Sequence, residues 1–414
     1  MSRRPVDEPA RRLDDHAIAA FLPAPPSYRY TPKVRTGAAQ STASVLLPGR
    51  GRAPAATTQG PTILRAPRHT ETMKPLRYLS AAEVALAMPP LAERLVLAER
   101  TMRALGDTAE LPPKIGVHPR QTGSLAQAMP ALLRGEAPDG SADLIGAKWI
   151  AGFPENPRLG LPAYHALVLL NDPVTGVALA VMDAATITAG RTAAASGVAI
   201  RHFLPGDVGP AGAQPASEPA RVGILGAGAQ ARSHLDVLGR LLPGCTVGLT
   251  DVDGARAAAL AGEAAAVEGI GSAEAVSSVR EAVESADVVV SVISFGPDRQ
   301  ALDPAWLGPR TLFVAVDYDM QAPAALARES FFAVDDRGQF LATRSGSVFA
   351  GYPEPDATLG ELLRGEGSAG SGRPGRAAGR VLVTHLGVGL ADVVFASAIL
   401  ERAERLGLGR LLPR

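Results

Sequence analysis

The sequence predicts an α/β protein built around a doubly wound parallel sheet. Two observations support this prediction. After residue 220, short apolar runs alternate with helical segments: RVGILGAG precedes AQARSHLDVLGRLL, and CTVGLTD precedes ARAAALAGEAAAV. Two further short runs, ADVVVSVIS and TLFVAVD, are enriched in Val. Apolar strands that alternate with helices are typical of a parallel sheet that helices cover on both faces.

The composition favours a globular protein with a small-molecule partner. The 414 residues suffice for two domains, and the 41 basic and 41 acidic side chains leave no net charge that would attract nucleic acid or an anionic membrane. The single cysteine, Cys245, excludes a disulfide framework and a Cys-based zinc site, and no metal is expected. No apolar signal segment or run of about 18 apolar residues is present, so we expect a soluble cytoplasmic protein.

The first half of the chain predicts helices, then strands, then a long helix. Residues 1–72 are rich in Pro, Arg, Ala, Ser and Thr, and we expect them to form a flexible extension. Ser80 followed by Glu83 is the pattern of a capping box, and PPLAERLVLAERTMRAL predicts the next helix. ADLIGAKWIAGF, AYHALVLLND and VALAVMD predict strands, the last two joined by the turn NDPVTG. TITAGRTAAASGVAIRHFL predicts a helix with Thr186 or Thr188 as its N-cap.

Two stretches rich in Gly, Pro and Ala divide the second half of the chain. GDVGPAGAQPASEPA precedes the alternating strands and helices, and it predicts a domain boundary. RGEGSAGSGRPGRAAGR, residues 364–380, predicts a second flexible segment. The chain then closes with a predicted strand, VLVTHLGVG, and a predicted helix, ADVVFASAILERAERLG.

The turn GAGAQA follows a predicted strand and opens a predicted helix. Gly226, Gly228 and Ala231 form a GxGxxA pattern, in which the first glycine allows the tight turn, the second lets the backbone approach a pyrophosphate, and the small third residue lets helix and strand pack closely. The positive end of the helix dipole then faces the phosphates. The sequence thus predicts a Rossmann-type dinucleotide site, although a tight strand–helix turn without a ligand remains an alternative.

An acidic residue at the end of the second strand indicates which dinucleotide binds. VGLTDVD places Asp251 there, with Asp253 as the second candidate. A carboxylate at this position accepts hydrogen bonds from the ribose hydroxyls and repels a 2′-phosphate. The sequence therefore favours NAD over NADP.

Several segments together resemble one enzyme family. GAKWIAGFPENPRLGLP, DPVTGVALAVMDAATITAGRTAAASGVAIRHF, GILGAGAQA and THLGVGLADVVFASAILERAERLGLG are similar to segments of the ornithine cyclodeaminase/mu-crystallin family, in that order. The resemblance implies a Rossmann domain (206–380) inserted into a smaller α+β substrate and dimerisation domain made from both ends of the chain (73–205 and 381–414). It also implies a homodimer and NAD(P)(H)-dependent hydride chemistry at the Cα–N bond of small amino acids or imines.

The resemblance also assigns candidate residues for the substrate. By position, Arg120 would hold the substrate carboxylate, Lys148 would lie beside the substrate, and Arg191 would lie near substrate and cofactor phosphates. Asp319 is the best match for an acid/base aspartate, but Asp317 lies two residues earlier, on the same face of an extended chain. The residues alone allow simpler interpretations. Lys148 would be a surface lysine whose ammonium reaches water, Arg120 a solvated loop side chain, and Asp319 a cap of the segment after its strand.

The remaining candidates concern the cofactor and the pocket. Ala229 and Gln230 complete the glycine turn, and Ser294, at the end of ADVVVSVIS, is expected beside the cofactor. Gln127 is expected in the substrate pocket, at a position where relatives often carry a glutamate. His385 stands where a small hydroxyl residue is usual, and QAPAA follows Asp319 in place of a GKTEL-like run.

Three functional hypotheses follow from these residues. The first is an NAD-dependent oxidoreductase of a small L-amino acid or its imine. The second is a redox-neutral cyclodeaminase of ornithine or lysine, and the third is a non-catalytic NAD(P)-binding protein. Because the departures from the family pattern lie on the expected active site, we hypothesise a divergent, biosynthetic substrate in place of ornithine.

Overall fold

The computed structural model describes residues 74–204, 218–296, 298–346, 348–366 and 379–414. The predicted N-terminal extension and most of the two Gly- and Pro-rich stretches lie outside these residues. Pro75–Arg414 falls within one compact unit. The described residues of this unit form two eight-stranded sheets.

The first sheet is mixed and contains the predicted hairpin. Its strand order is β16-β1-β7-β6-β5-β4-β2, with β3 also paired to β4. All its pairs are antiparallel except β1 with β7. The strands are β1 (Leu76–Leu79), β2 (Ala109–Glu110), β3 (Ile115–Val117), β4 (Leu125–Leu133), β5 (Leu144–Gly152), β6 (Tyr164–Asn171), β7 (Ala178–Asp183) and β16 (Arg410–Leu412).

The second sheet is parallel throughout, as the sequence predicts. Its order, β10-β9-β8-β11-β12-β15-β13-β14, reverses direction beside β8, which places the glycine turn at the switch point of a doubly wound sheet. The strands are β8 (Arg221–Leu225), β9 (Cys245–Thr250), β10 (Ile270–Ala275), β11 (Val288–Ser291), β12 (Leu312–Ala315), β13 (Phe331–Val334), β14 (Ala357–Thr358) and β15 (Val381–Thr384).

The helices pack on these two sheets and between them. They are α1 (Ala81–Ala87), α2 (Leu91–Ala104), α3 (Ala185–Phe203), α4 (Ala229–Leu241), α5 (Gly254–Ala264), α6 (Val279–Val283), α7 (Ala324–Glu329), α8 (Arg337–Arg344), α9 (Leu359–Arg364) and α10 (Gly389–Arg405). Two short 3₁₀ helices span Asn156–Leu159 and Pro304–Trp306.

Helix α3 is buried on nearly all sides because its small residues admit close neighbours. A Cβ atom at Gly197 would lie 2.7 Å from Leu95 of α2 and 2.8 Å from Val237 of α4. Glycine there lets α2 and α4 approach α3 from two directions. Helix α3 thereby joins the first sheet to the helix that follows the glycine turn.

The structure confirms one predicted helix start and contradicts another. Ser80 and Glu83 form the predicted capping box. The N-cap predicted for α3 at Thr186 or Thr188 is wrong, because α3 begins at Ala185 with Ala184 as N-cap. The Asp183 carboxylate instead accepts a hydrogen bond from the Ala185 N–H at 2.9 Å, so a side chain one position earlier caps the turn.

The strand after the second Gly- and Pro-rich stretch lies in a different sheet from the one expected. Residues 381–414 were predicted to belong with the first domain, but β15 pairs in parallel with both β12 and β13 of the second sheet. Only the chain after Thr384 runs back to the first sheet, where α10 packs and β16 pairs with β1. A buried four-residue strand, VLVT, fits either sheet by pattern, so pairing alone decides its place.

One face of the first sheet is covered by helices and the other is open. On the open face, Trp149 of β5 lies opposite Leu167 of β6, and their exposed fractions are 48% and 43%. Tyr78 and Ile145 lie on the same face and are also exposed. Across the described part of the chain, no helix combines the length and apolar character needed to cross a bilayer.

Candidate active site

The glycine turn has the geometry that its pattern predicts. Gly226 has a φ of 101°, and a Cβ atom there would lie 2.9 Å from the carbonyl oxygen of Val292, the residue after β11. Gly228 is the N-cap of α4, and a Cβ atom there would meet no heavy atom within 4 Å. Ala231 is fully buried against the sheet. Residues 228–230 thus leave an open helix N-terminus at which a phosphate could bind.

Asp251 lies beside this turn. Its Oδ2 accepts a hydrogen bond from the Ala227 N–H at 2.7 Å, and its Oδ1 accepts one from the Asp253 N–H at 2.9 Å. The second candidate, Asp253, has a different role, since its carboxylate caps α5. Ala229, Gln230 and Ser294 also border the turn, Ser294 as an exposed residue just after β11. The donor set therefore fits a dinucleotide with a ribose hydroxyl pair near Asp251.

A buried ionic cluster lies between the two sheets. Lys148 Nζ is 2.8 Å from Asp392 Oδ2, and Arg191 Nε is 3.2 Å from Asp392 Oδ1. The Lys148 side chain is 1% exposed and that of Asp392 is fully buried. Lys148 comes from β5, Arg191 from α3 and Asp392 from α10, so three separated segments meet here. We call Lys148, Arg191, Asp392 and the adjoining Lys114 the cation cluster.

Burial controls the protonation of Lys148. Removal from water lowers the pKa of Lys148 to about 7, and the positive charges of Arg191 and Lys114 lower it further, while Asp392 opposes the shift. Near neutral pH this amine therefore exists in both protonation states. A lysine with such a pKa can accept or release a proton during a reaction.

Lys114 was not predicted from the sequence, although it belongs to the cluster. Its Nζ donates hydrogen bonds to the Leu386 carbonyl oxygen at 2.6 Å and to the Tyr318 hydroxyl at 3.0 Å. Within the described residues Lys114 forms no ion pair, although its charge lowers the pKa of the buried Asp335, which burial raises. The sequence could have indicated Lys114, because lysine is rare in it. The chain contains only four lysines, which are Lys33, Lys74, Lys114 and Lys148.

Arg120, predicted to hold the substrate carboxylate, is not one of the residues that form the cation cluster. It is exposed in the loop between β3 and β4 and makes no side-chain hydrogen bond or ion pair among the described residues. Lys114, a few residues earlier, is the cation of this part of the chain that acts on Lys148. Gln127 does share the inner face of the sheet with Lys148, because Gln127 pairs with Ile150 and Met129 pairs with Lys148.

The two aspartates after β12 have different surroundings. Asp319 Oδ1 pairs with Arg299, and its Oδ2 accepts the Phe349 N–H at 2.8 Å, so both oxygens are held by neighbouring loops. Asp317 Oδ2 accepts from Ser291 and Ile293, whereas its Oδ1 is buried without a hydrogen-bond partner among the described residues. Burial raises the pKa of Asp317 to about 7. The chain is not extended between them, because Tyr318 has a φ of 64°.

Asp392 is the other residue that sequence reasoning missed. It stands in the first turn of α10, where a carboxylate usually interacts with the helix dipole. Nothing in ADVVFASAIL distinguishes it from an ordinary helix-start aspartate. Only the packing of α10 against β5 and α3 brings it to Lys148 and Arg191.

The fold and the site together define a class of protein. It is an α/β protein with a Rossmann-type sheet, in which an open dinucleotide turn and a buried cation cluster occupy the same compact unit. Residues 79–406 match the sequence model of the ornithine cyclodeaminase/mu-crystallin family, and the chain belongs to that family.

Relatives and solved structures agree with this membership. The chain is 32% identical to the nodulation efficiency protein NfeD of Rhizobium meliloti, over 82% of this chain and 98% of that protein. It is 30% identical to an alanine dehydrogenase of Archaeoglobus fulgidus, over 74% and 88% of the two chains. The structure of an archaeal alanine dehydrogenase dimer with bound NAD matches with a TM-score of 0.64 and 26% identity, covering 81% of this chain and 98% of that one. The predicted fold class and the prediction of an enzyme are confirmed.

Proposed function

We propose that the protein is an NAD-dependent oxidoreductase acting at the Cα–N bond of a small L-amino acid or of its imine. The observation that carries the proposal is the cation cluster, in which Lys148 and Arg191 share one carboxylate while Lys114 forms no ion pair among the described residues. A bound amino acid would supply the missing carboxylate. Cations that hold a carboxylate fix the orientation of the adjacent Cα–H bond.

The turn at Gly226 and Gly228, together with Asp251, supports NAD as the cofactor. NAD would supply the hydride acceptor in amine oxidation, and NADH the hydride donor in imine reduction. The chain would hold the pyrophosphate at the N-terminus of α4 and the ribose at Asp251. In Asp251→Ala we expect weaker binding of NAD and unchanged or stronger binding of NADP, measured by titration of each reduced cofactor. Equal weakening of both would contradict the ribose assignment.

We assign the proton transfer that accompanies hydride transfer to Lys148. Its neutral form would accept the proton of a substrate ammonium, and its charged form would donate to an imine nitrogen, as its pKa of about 7 permits. Asp319 remains a candidate from the resemblance, and Asp317 is a second one, because its Oδ1 has no hydrogen-bond partner among the described residues. Comparing Asp317→Asn with Asp319→Asn distinguishes them, since the variant of a proton carrier loses turnover while still binding NADH.

The test of the proposed function is a substrate screen. The full-length protein is incubated with NAD and a panel of L-amino acids, and with NADH and the corresponding 2-oxo acids plus ammonia, while absorbance of NADH is followed. We expect net NADH formation or consumption with at least one small amino acid or imine. Lys148→Met is the inactive control. NADH binding without any turnover across the panel would favour the non-catalytic hypothesis.

A redox-neutral cyclodeaminase is the alternative within the same family. It would convert a diamino acid into a cyclic amino acid and ammonia without net change in NADH. The uncharged Gln127 on the Lys148 face of the sheet disfavours it, because a second ammonium would gain no negative charge there. Conversion of ornithine or lysine with ammonia release and constant NADH would establish it and overturn the oxidoreductase proposal.

We also propose that two copies associate through the open face of the first sheet. Trp149, Leu167 and Ile145 expose large apolar side chains on this face, and a contiguous apolar surface of this kind is typical of a protein interface. We expect light scattering to give a dimer mass and Trp149→Arg to give a monomer. Val252→Arg, at a fully exposed position away from the sheet, is the matched control. A monomeric wild-type protein would contradict the proposal.

A further inference from the structure

Three buried side chains form a continuous hydrogen-bonded line between the glycine turn and the cation cluster. His234 Nδ1 lies 2.7 Å from the Gln230 carbonyl oxygen, and His234 Nε2 lies 2.8 Å from Ser196 Oγ. Ser196 Oγ also lies 2.8 Å from His385 Nε2. The three side chains are almost completely buried. We call His234, Ser196 and His385 the imidazole relay; they come from α4, α3 and the residue after β15.

The hydrogen bond between His234 and the Gln230 carbonyl oxygen determines where the protons of the relay lie. A backbone carbonyl only accepts, so His234 Nδ1 carries a proton and donates it to Gln230. Burial lowers the pKa of His234 to about 4, so the ring is neutral and its Nε2 has no proton. The Ser196 hydroxyl must therefore donate to His234. Because Ser196 has a single proton, its oxygen accepts from the Nε2–H of His385.

His385 is thus a neutral imidazole with a bare Nδ1. Burial lowers the pKa of His385 to about 3, and His234, Arg191 and Lys114 lower it further, so no second proton is available. Nδ1 is buried and has no hydrogen-bond partner among the described residues. A buried acceptor without a partner costs about 1–3 kcal/mol. The relay holds the ring in this unfavourable state.

The two residues after His385 contact two members of the cation cluster. The Leu386 carbonyl oxygen accepts from Lys114 Nζ at 2.6 Å. A Cβ atom at Gly387 would lie 2.6 Å from Arg191 Nη1, so only glycine leaves room for that guanidinium. The Gly387 N–H donates to Asp335 Oδ2 at 2.9 Å, which ties the segment to the second sheet. A shift of His385 would therefore move the atoms that seat Lys114 and Arg191.

We propose that His385 is a positioning residue of the substrate site, which holds the Leu386 carbonyl and hence the Lys114 ammonium at the place where the substrate carboxylate binds. The relay anchors His385 through Ser196 to His234, whose helix also forms the cofactor turn. Cofactor turn and carboxylate site are thereby held in one geometry. The role given to the carboxylate rests on the proposed function, whereas the relay itself does not.

The first experiment determines which ring nitrogen of His234 and of His385 carries the proton. Long-range ¹H–¹⁵N spectra of the full-length protein labelled at histidine report the protonated nitrogen of each of its seven histidines. We expect His234 to carry its proton on Nδ1 and His385 on Nε2, with neither ring titrating between about pH 5.5 and 8. His234→Gln and His385→Gln assign the signals. A His385 ring protonated on Nδ1, or titrating near its ordinary pKa, would overturn the relay.

The second experiment compares two replacements of His385. In His385→Gln the side-chain amide can still donate to Ser196, whereas in His385→Leu it cannot. We expect His385→Leu to shift the Lys114 signal in spectra of ¹³Cε-labelled lysine and to leave the exposed Lys74 unchanged, and His385→Gln to restore the Lys114 signal. Ser233→Ala is the matched control, since Ser233 bonds the same Gln230 carbonyl at 2.8 Å without joining the relay. An unmoved Lys114 signal in a folded His385→Leu protein would refute the positioning role.

Kinetics separate positioning from a purely structural role. For an amino acid turned over in the screen, His385→Leu should raise KM roughly tenfold, as expected when one charge-assisted contact is displaced, while kcat and NADH binding change little. A loss confined to kcat, or an equal loss in His385→Gln, would count against the proposal. If the wild-type protein turns over no amino acid, the proposed function fails, while the two spectroscopic experiments still decide the relay.

Discussion

The cofactor turn and the cation cluster are built in different ways. The turn and Asp251 lie within two consecutive strand–helix units. Their contacts are the backbone hydrogen bond from the Gly226 N–H to the Thr250 carbonyl and the hydrogen bond from the Ala227 N–H to the Asp251 carboxylate. The cluster collects Lys114, Lys148, Arg191 and Asp392 from four segments spread over most of the chain. Its contacts are between charged side chains in a nearly water-free interior. A local motif thus tolerates changes elsewhere, whereas the cluster depends on the packing of both sheets.

The largest effect is expected where the cluster loses its only carboxylate. Asp392→Asn leaves Lys148 and Arg191 buried without a counter-charge, and removing one partner of such a group destabilises by about 3–5 kcal/mol. Urea unfolding of the two proteins measures this difference. Asp236→Asn is the control, because its partner Arg94 is 4.0 Å away and Asp236 is 57% exposed. A loss for Asp392→Asn as small as for the control would mean that the cluster is not a coupled unit.

The pH dependence of the free energy of unfolding tests whether burial lowers the pKa of Lys148. Its folded-state pKa of about 7 lies below the ordinary lysine value of 10.5, so the unfolded chain binds more protons between these values. The free energy of unfolding should therefore gain about 1.4 kcal/mol per pH unit from Lys148 as the pH rises above 7, and Lys148→Met should lose this component. Unfolding at several pH values, with Lys74→Met as control, measures the slope. Identical slopes in all three proteins would show that Lys148 is fully charged in the fold.

Adding a single methyl group to the glycine turn should weaken cofactor binding without changing the free energy of unfolding. In Gly228→Ala the new Cβ meets no protein atom, but it stands where the pyrophosphate would approach. We expect the Kd of NADH to rise roughly 10- to 100-fold. Gly262→Ala in α5, also free of steric contact, is the control and should bind NADH as the wild type does. Unaltered binding in Gly228→Ala would place the cofactor elsewhere.

The smallest effect is expected at Arg120. Arg120→Ala should change KM for the amino acid found in the screen by less than about twofold, because an exposed side chain with no partner in the described part of the chain contributes little. Lys114→Met in the same segment should raise KM roughly tenfold through the loss of an anion contact. Steady-state kinetics of both variants measure the contrast. The reverse ranking would restore Arg120 as the carboxylate residue.

The sequence by itself determined the elements whose signals are local. Alternating apolar runs predicted the parallel sheet, Ser80 and Glu83 predicted a capping box, and GAGAQA predicted an open turn, because each depends on residues a few positions apart. The resemblance added Lys148 and Arg191 by their spacing.

Only the tertiary structure decided which distant side chains meet. It paired β15 with the second sheet, brought Lys114 next to Lys148, and enclosed both oxygens of Asp319 between Arg299 and Phe349. Asp392 and His385 have no local pattern that marks them. Their roles arise because burial removes water from charged and polar groups, and each group must then find its partner in whichever segment packs against it.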